Sequence, residues 1–455
     1  MKAFGRDASF VSDLLQSIAD RSRQLLRRGD QLGPAQRVSI VALARQLISS
    51  RGEASGVALA RALLLQWDRM GGAERLEWFR IQAEEFGPEL PRLQAAVESW
   101  LTSPTPEAAQ ALHEAAEPLR QEVLRRINLA PGGTAKLVRM REELLSFQRD
   151  HPELAAVDAD FVHLFTSWFN RGFLVLKRID WASPADILEK IIQYEAVHEI
   201  SGWDDLRRRL QPPDRCCFAF FHPQMPEDPL IFVEVALTAG IPREIAPLLA
   251  EERKPLPLGD ADTAVFYSIS NTQAGLKGIS FGNFLIKQVV DELTRDTPGL
   301  KTFVTLSPLP GFADWLAMQR MEETGFLHAI EGHDRLSILD EPGWAASAED
   351  RTALEPVLEA AAAAYLARAK APNGRPLNPV ARFHLGNGAS LHLIHACADL
   401  SANGLKQGHG VMVNYLYDLK SIEKNHEAYA NQAEVVCSPT VRRLLAPERR
   451  TRAHA

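Results

Sequence analysis

A helical N-terminal half joined to a mixed α/β half is the fold class this sequence predicts, on three observations. Residues 1 to about 150 are rich in Leu, Ala, Arg, Glu and Gln, with few β-branched runs. After His151-Pro152 the composition turns aromatic and β-branched. The stretch Phe266 to Phe312 then reads strand, glycine turn, amphipathic helix and strand, which is a βαβ unit with a right-handed crossover. The expected division is therefore a helical bundle over 1–152 and an α/β domain over 153–455.

In the first half, Val11 to Arg28 places Leu14, Leu15, Ile18, Leu25 and Leu26 on one stripe. Similar periodicity predicts helices at Ala35 to Ile48, Val57 to Trp67, Glu74 to Glu85, Glu89 to Leu101, Pro106 to Glu117, Leu119 to Leu129 and Thr134 to Phe147. Breaks fall at Gly29-Asp30, Met70-Gly71-Gly72, Ser103-Pro104 and Pro131-Gly132-Gly133. No nucleophile, metal spacing or phosphate loop appears among these helices. A packing or assembly module is the expectation, with two or four copies of the chain joined through it.

The second half opens with a helix from Glu153 to about Phe169 and a strand from Phe173 to Ile179. Ser183-Pro184-Ala185-Asp186 reads as a helix start, with an N-cap serine, proline at the first helical position and an acid in the first turn. Cys216 to Phe221 and Leu230 to Leu237 read as an antiparallel pair joined by the proline-rich His222 to Pro229 loop. In the βαβ unit, Phe281, Leu285, Val289 and Leu293 line one helix face, and Thr302 to Leu306 forms the second strand. Helices are expected again at Ala313 to Gly325 and Leu354 to Ala369.

Composition narrows the function. Charged residues make up 24% of the 455 and the net charge is −7, which argues against a general nucleic-acid binder. No apolar run approaches a bilayer span. The first residues contain Asp7 and Asp13 and no secretory apolar core, so a cytoplasmic location is expected. The four cysteines show neither a disulfide framework nor metal spacing.

Chemistry is suggested at three places. Gly275, Gly278 and Gly282 lead into the central helix, where free N–H groups favour an anion such as a pyrophosphate. Ser307 ends the second strand, the side of an open sheet where ligands bind. His384 lies beside a turn in Arg382-Phe-His-Leu-Gly-Asn-Gly388, at a strand or helix end, and can exchange a proton near neutrality. His392 and His395 form an HxxH, yet no third ligand accompanies them, so no metal is expected.

Tyr267-Ser-Ile-Ser-Asn-Thr-Gln-Ala-Gly-Leu-Lys-Gly-Ile279, Leu306-Ser-Pro-Leu-Pro-Gly-Phe-Ala-Asp-Trp-Leu316, Phe383-His-Leu-Gly-Asn-Gly-Ala389 and Asn414-Tyr415 together resemble the malonyl-CoA decarboxylase family. The resemblance covers most of the chain. It implies an acetyltransferase-like fold of the Gcn5-related group for the second half. It also implies a CoA site at Lys277, Gly278, Ile279, Ser280, Phe281, Gly282 and Asn283, a catalytic serine at Ser307 and a catalytic histidine at His384. Some relatives carry an acidic residue where this chain has Ser280, so no catalytic carboxylate is expected there.

The reaction so implied needs no cofactor. Loss of CO2 from malonyl-CoA leaves an electron pair that the thioester carbonyl accepts as an enolate. Pairing the leaving carboxylate with Arg or Lys would stabilise the ground state, so neutral donors suit the step. Ser307, between Leu306 and Pro308, fits the role of holding the malonyl group, and His384 that of protonating C2. Asn271, Asn387 or backbone N–H groups are candidates for the enolate oxygen, with Ser268 and Tyr415 orienting the site from behind. Two other classes share the CoA turn: an acyl-CoA N-acyltransferase and a non-catalytic acyl-CoA-binding scaffold.

Overall fold

The computed structural model describes residues 39–50, 52–282, 285–322 and 325–445. The expected helix over Val11 to Arg28 and residues 35–38 of the next lie outside the described residues. Chain packing separates two units. Among the described residues, one comprises those up to Phe173 together with 223–226 and 273–280, and the other takes the rest.

The first unit is helical, as its periodicity predicts. Its helices are α1 Ile40–Ser49, α2 Glu53–Arg69, α3 Gly72–Glu85, α4 Leu90–Thr102, α5 Pro106–Ala116, α6 Leu119–Asn128, α7 Gly133–Gln148 and α8 Ala155–Trp168. Local chemistry starts several of them: Ser39 caps α1 by accepting from the Ala42 N–H at 3.1 Å, and Thr105 caps α5 ahead of Pro106. Trp67, Trp78, Phe79, Leu137, Leu144, Phe161 and Phe165 build the core. Two buried arginines reach inside, Arg120 to Asp160 and Arg141 to Asp158. Helices α4 and α5 pack chiefly on each other and leave Leu90 and Leu101 on the surface, 72% and 76% exposed.

The second unit is built on an eight-stranded mixed sheet. Its first strands and helices are β1 Val175–Ile179, α9 Ala185–Tyr194, α10 Trp203–Leu210, β2 Arg215–His222, β3 Met225–Thr238, the short α11 Ala246–Leu249 and β4 Thr263–Asn271. There follow α12 Leu285–Asp296, β5 Thr302–Thr305, β6 Ser307–Pro308, α13 Phe312–Arg320, α14 Ala348–Ala367 and α15 Pro379–Gly386. The chain closes with β7 Ser390–His395, α16 Ala402–Gly408, β8 Met412–Leu416, α17 Ile422–Gln432 and α18 Pro439–Leu444. The strand order is β1-β2-β3-β4-β5-β8-β6, with β7 on β8.

The βαβ unit is present: β4 and β5 run parallel, from Thr263 opposite Thr302 to Phe266 opposite Thr305. On one sheet face Leu285, Val289 and Leu293 of α12 and Leu354, Leu358 and Ala361 of α14 pack on Phe218, Val233, Val235 and Phe266. On the other, Ile187, Ile191, Leu206 and Leu210 of α9 and α10 pack on Cys217, Phe221 and Phe232.

Four local expectations change. Phe281 lies ahead of α12, which begins at Leu285, so it is not on that helix's face. Ser183 does not cap α9; its hydroxyl accepts from the Asp180 N–H at 3.0 Å, closing a turn, and Pro184 takes the cap position. The prolines at 226 and 229 do not break the chain between β2 and β3, because β3 begins at Met225 and runs through both. Helix α14 begins six residues before Leu354, since Ser347 accepts from the Asp350 N–H and caps a polar first turn that hydrophobic periodicity does not register.

Candidate active site

Ser307 and His384, 77 positions apart in sequence, meet in the interior of the sheet unit, with Ser307 Oγ 3.2 Å from His384 Nε2. Ser307 opens β6, two residues past the end of β5. His384 sits in the last turn of α15, so its setting is helical. That helix is fixed at its start by Asn378, whose Oδ1 accepts from the Ala381 N–H at 2.8 Å while its Nδ2 donates to Pro310 O at 2.9 Å. Tyr365 donates to the same carbonyl at 3.2 Å. The helix carrying the histidine is thereby tied to the segment that follows the serine. Beyond the helix, Gly388 has φ +84, and a Cβ there would lie 2.2 Å from Ile422 O, so only glycine fits the turn.

Strand β8 supports the imidazole. Tyr415 stacks on the ring at 4.6 Å between centroids and 23° between planes. The Tyr417 hydroxyl lies 2.8 Å from His384 Nδ1. Burial pushes the imidazole down from 6.5 to about 3, so it is neutral at physiological pH and carries one hydrogen. The network assigns where that hydrogen is. Leaving the buried Tyr417 O–H unpaired would be costly, so it donates to Nδ1 and places the ring hydrogen on Nε2. Nε2–H then points at Ser307 Oγ, and the serine keeps its own O–H for a ligand.

The other candidates divide into three groups. Asn387 follows the histidine's helix as its C-cap; its Nδ2 donates to Phe383 O, while its buried Oδ1 has no hydrogen-bond partner among the described residues. The buried Tyr415 hydroxyl is likewise unpaired. Ser268 belongs to a different cluster, donating to the Glu195 carboxylate at 2.7 and 2.8 Å, and Asn271 is exposed at the end of β4, opposite Ile231. His395 of the HxxH bonds Asn414 Oδ1 through Nε2 at 2.6 Å.

The glycine turn is held inside the helical unit. Arg141 Nη1 donates to Gly275 O at 2.8 Å and to Lys277 O at 2.9 Å. A Cβ on Gly275 would lie 1.9 Å from Val138 O, which is why glycine stands there. Lys277, Gly278 and Ser280 are exposed, Ile279 is buried, and Phe281 and Gly282 are half-buried. Asn283 lies outside the described residues.

Tyr417 is the residue sequence reasoning missed. Its signal was present in the spacing, because Tyr415 on β8 and Tyr417 just past the strand's end are two apart in the Val413-Asn-Tyr-Leu-Tyr417 run.

Comparisons with known proteins agree with this architecture. The malonyl-CoA decarboxylase C-terminal domain model matches residues 172–455 and the N-terminal domain model residues 86–169. The chain is 36% identical over 369 residues to the mitochondrial malonyl-CoA decarboxylase of Mus musculus, covering 75% of this chain and 74% of that protein. It is 34% identical over 403 residues to the mitochondrial enzyme of Anser anser anser, covering 81% and 79%. Among solved structures, malonyl-CoA decarboxylase from Rhodopseudomonas palustris superposes with a TM-score of 0.85 at 56% identity, over 89% of this chain and 98% of that one. The enzyme from Agrobacterium vitis gives 0.85 at 54%, over 90% and 100%. Matches to both domain models and to relatives over most of the chain define the class, a carbon–carbon lyase that decarboxylates its substrate. The chain belongs to the malonyl-CoA decarboxylase family.

Proposed function

We propose that the chain converts malonyl-CoA to acetyl-CoA and CO2, with Ser307 and His384 as the catalytic pair. The observation that carries this reading is the 3.2 Å contact between Ser307 Oγ and His384 Nε2, with the Tyr417 hydroxyl on the opposite ring nitrogen. Ser307 donates its O–H to the malonyl group and holds the carboxylate out of the thioester plane. The C–C bond to the carboxylate breaks, CO2 leaves, and the electron pair passes into the thioester as an enolate. His384, protonated on both ring nitrogens once the malonyl carboxylate is bound, then delivers the Nε2 proton to C2 and returns to the neutral ring.

The low proton affinity of the free imidazole suits this order of events. Burial alone keeps the ring neutral, whereas a bound carboxylate brings a negative charge that favours imidazolium. Tyr417 and Tyr415 hold the ring's tautomer and plane, and Asn387 or backbone N–H groups serve the enolate oxygen. The candidate CoA contacts are Lys277 to Asn283, where backbone N–H groups would serve the pyrophosphate. Of the six that the structure describes, Lys277, Gly278 and Ser280 are exposed. Ser268, bonded to Glu195, orients β4 rather than the reacting groups.

The adjacent parallel strands β4 and β5 support reading the sheet unit as the acetyltransferase-like fold of the Gcn5-related group, within a catalytic domain over 153–455. Exposed Leu90, Val97, Trp100 and Leu101 on α4 support joining copies of the chain, as dimer or tetramer, through the helical domain over 1–152. Free cysteines fit a cytoplasmic, reducing location, and no helix among the described residues is long and apolar enough to cross a membrane. Removal of malonyl-CoA places the activity in fatty-acid or malonate metabolism.

The test is incubation of the purified protein with malonyl-CoA and EDTA, with no amine acceptor. Equal release of acetyl-CoA and CO2 is expected. Intact malonyl-CoA with a raised melting temperature would overturn the reading in favour of an acyl-CoA-binding scaffold, and acyl transfer on adding an amine would favour an N-acyltransferase.

A further inference from the structure

The path of the strands around Ser307 raises the question of what sets the serine's position. Strand β8 pairs with β5 at Val304 opposite Leu416 and with β6 at Ser307 opposite Val413, in one continuous register. Between those points side chains take the place of paired backbone. The Thr305 hydroxyl accepts from the Tyr415 N–H at 3.1 Å and donates to Val413 O at 3.3 Å. Asn414 Nδ2 donates to Thr305 O at 2.6 Å. Its Oδ1 is then the acceptor facing His395, which places the His395 hydrogen on Nε2 at 2.6 Å. Thr305 and Asn414 are fully buried.

The splice lies where the sheet divides. Leu306 still donates to Phe266 O at 3.0 Å, and the parallel register with β4 ends at Phe266 opposite Thr305. Beyond it β6 stays with β8 alone, at Ser307 and Pro308. Strand β8 also carries Tyr415, which stacks on His384, and leads into Tyr417, which bonds its Nδ1. Serine and histidine are thus both referenced to one strand, the serine through the Thr305–Asn414 splice and the histidine through the two tyrosines.

We propose that Thr305 and Asn414, backed by His395, are positioning residues for the decarboxylation, splicing β6 to β8 so that Ser307 lies within reach of His384 and the malonyl group. The inference rests on the reading of Ser307 and His384 as the catalytic pair. All three are buried, with their polar groups committed to one another and to β8. Their effect is on where Ser307 Oγ lies, and small displacements of a reacting group cost large factors in rate.

A double-mutant cycle tests this, because it isolates coupling between two residues. Thr305→Val keeps the side-chain volume and removes the hydroxyl. The expected result is a fall in kcat of about tenfold or more with KM for malonyl-CoA within about twofold, while Thr305→Ser stays near the parent. In a Ser307→Ala background, Thr305→Val is expected to cost nothing further. A Thr305→Val protein that turns over like the parent, or one whose loss multiplies fully with that of Ser307→Ala, would overturn the proposal. Should Thr305→Val fail to fold, His395 supplies the decision: His395→Leu should slow turnover and His395→Gln, which retains an N–H for Asn414, should restore it. Equal rates for those two variants would overturn it as well. Ser307→Ala at the parent's rate would instead remove the catalytic reading itself, and the positioning role with it.

Discussion

Buried ionisable groups are paired across most of the molecule and unpaired at the Ser307–His384 site. In the helical unit buried charges come as opposite pairs: Arg120 meets Asp160, which also accepts from Gln121 Nε2 at 2.5 Å, and Arg141 meets Asp158 at 2.8 Å. The sheet unit too holds buried ion pairs, Arg209 with Glu234 at 3.2 Å and Arg253 with Asp214 at 2.7 Å. His384, in the same unit, is buried with no counter-ion, between a phenol and a serine hydroxyl. A paired charge fixes helices in place and does nothing else. A lone neutral imidazole beside a free hydroxyl is primed to gain a proton once a substrate carboxylate arrives.

The largest expected effect breaks the structural side of this contrast. Asp160→Ala leaves Arg120 buried without its partner and should cost about 3–5 kcal/mol of stability. Denaturant unfolding reads that loss, while kcat per folded molecule should be unchanged.

Next comes the tautomer. Tyr417→Phe removes the hydroxyl that places the hydrogen on Nε2 and should lower kcat about tenfold, at the low end of what misplacing a catalytic proton costs. Steady-state kinetics with malonyl-CoA checks it, and KM should move little.

A smaller effect lies in the pH dependence of stability. The folded His384 stays neutral down to about 3, whereas the unfolded histidine binds a proton below about 6.5. Between those values the unfolded state holds more protons, so stability contributed here is lost as the pH falls from about 6.5 to about 3 and is fully present above it. His384→Gln should therefore narrow the difference in melting temperature between pH 7 and pH 5. His198, pushed down to about 4 by burial, acts in the same direction and should leave part of the slope.

What could be read from the sequence follows the range of the interactions. Helices such as Leu119–Asn128 and Gly133–Gln148 were legible because their apolar positions recur locally. Ser307 and His384 were legible because each sits in a distinctive short motif. Their contact was not, since it depends on β8 pairing along both β5 and β6, a long-range register that no local pattern encodes. For the same reason Tyr417 and the Thr305–Asn414 splice emerged only from register. Ser268 shows the converse: a polar residue beside a motif whose hydroxyl is committed to Glu195. The glycine turn was legible as a turn, but its anchoring by Arg141, 134 positions from Gly275, was not.

The central claim is that Ser307 and His384 perform the chemistry and contribute little to holding the fold. The most direct measurement is kcat for malonyl-CoA, with melting temperature, for the parent, Ser307→Ala and His384→Asn side by side. Turnover per folded molecule should fall about a hundredfold or more in both variants, with the melting temperature of Ser307→Ala close to that of the parent. Turnover at the parent's rate in either variant, or a loss matched by unfolding, would contradict the account.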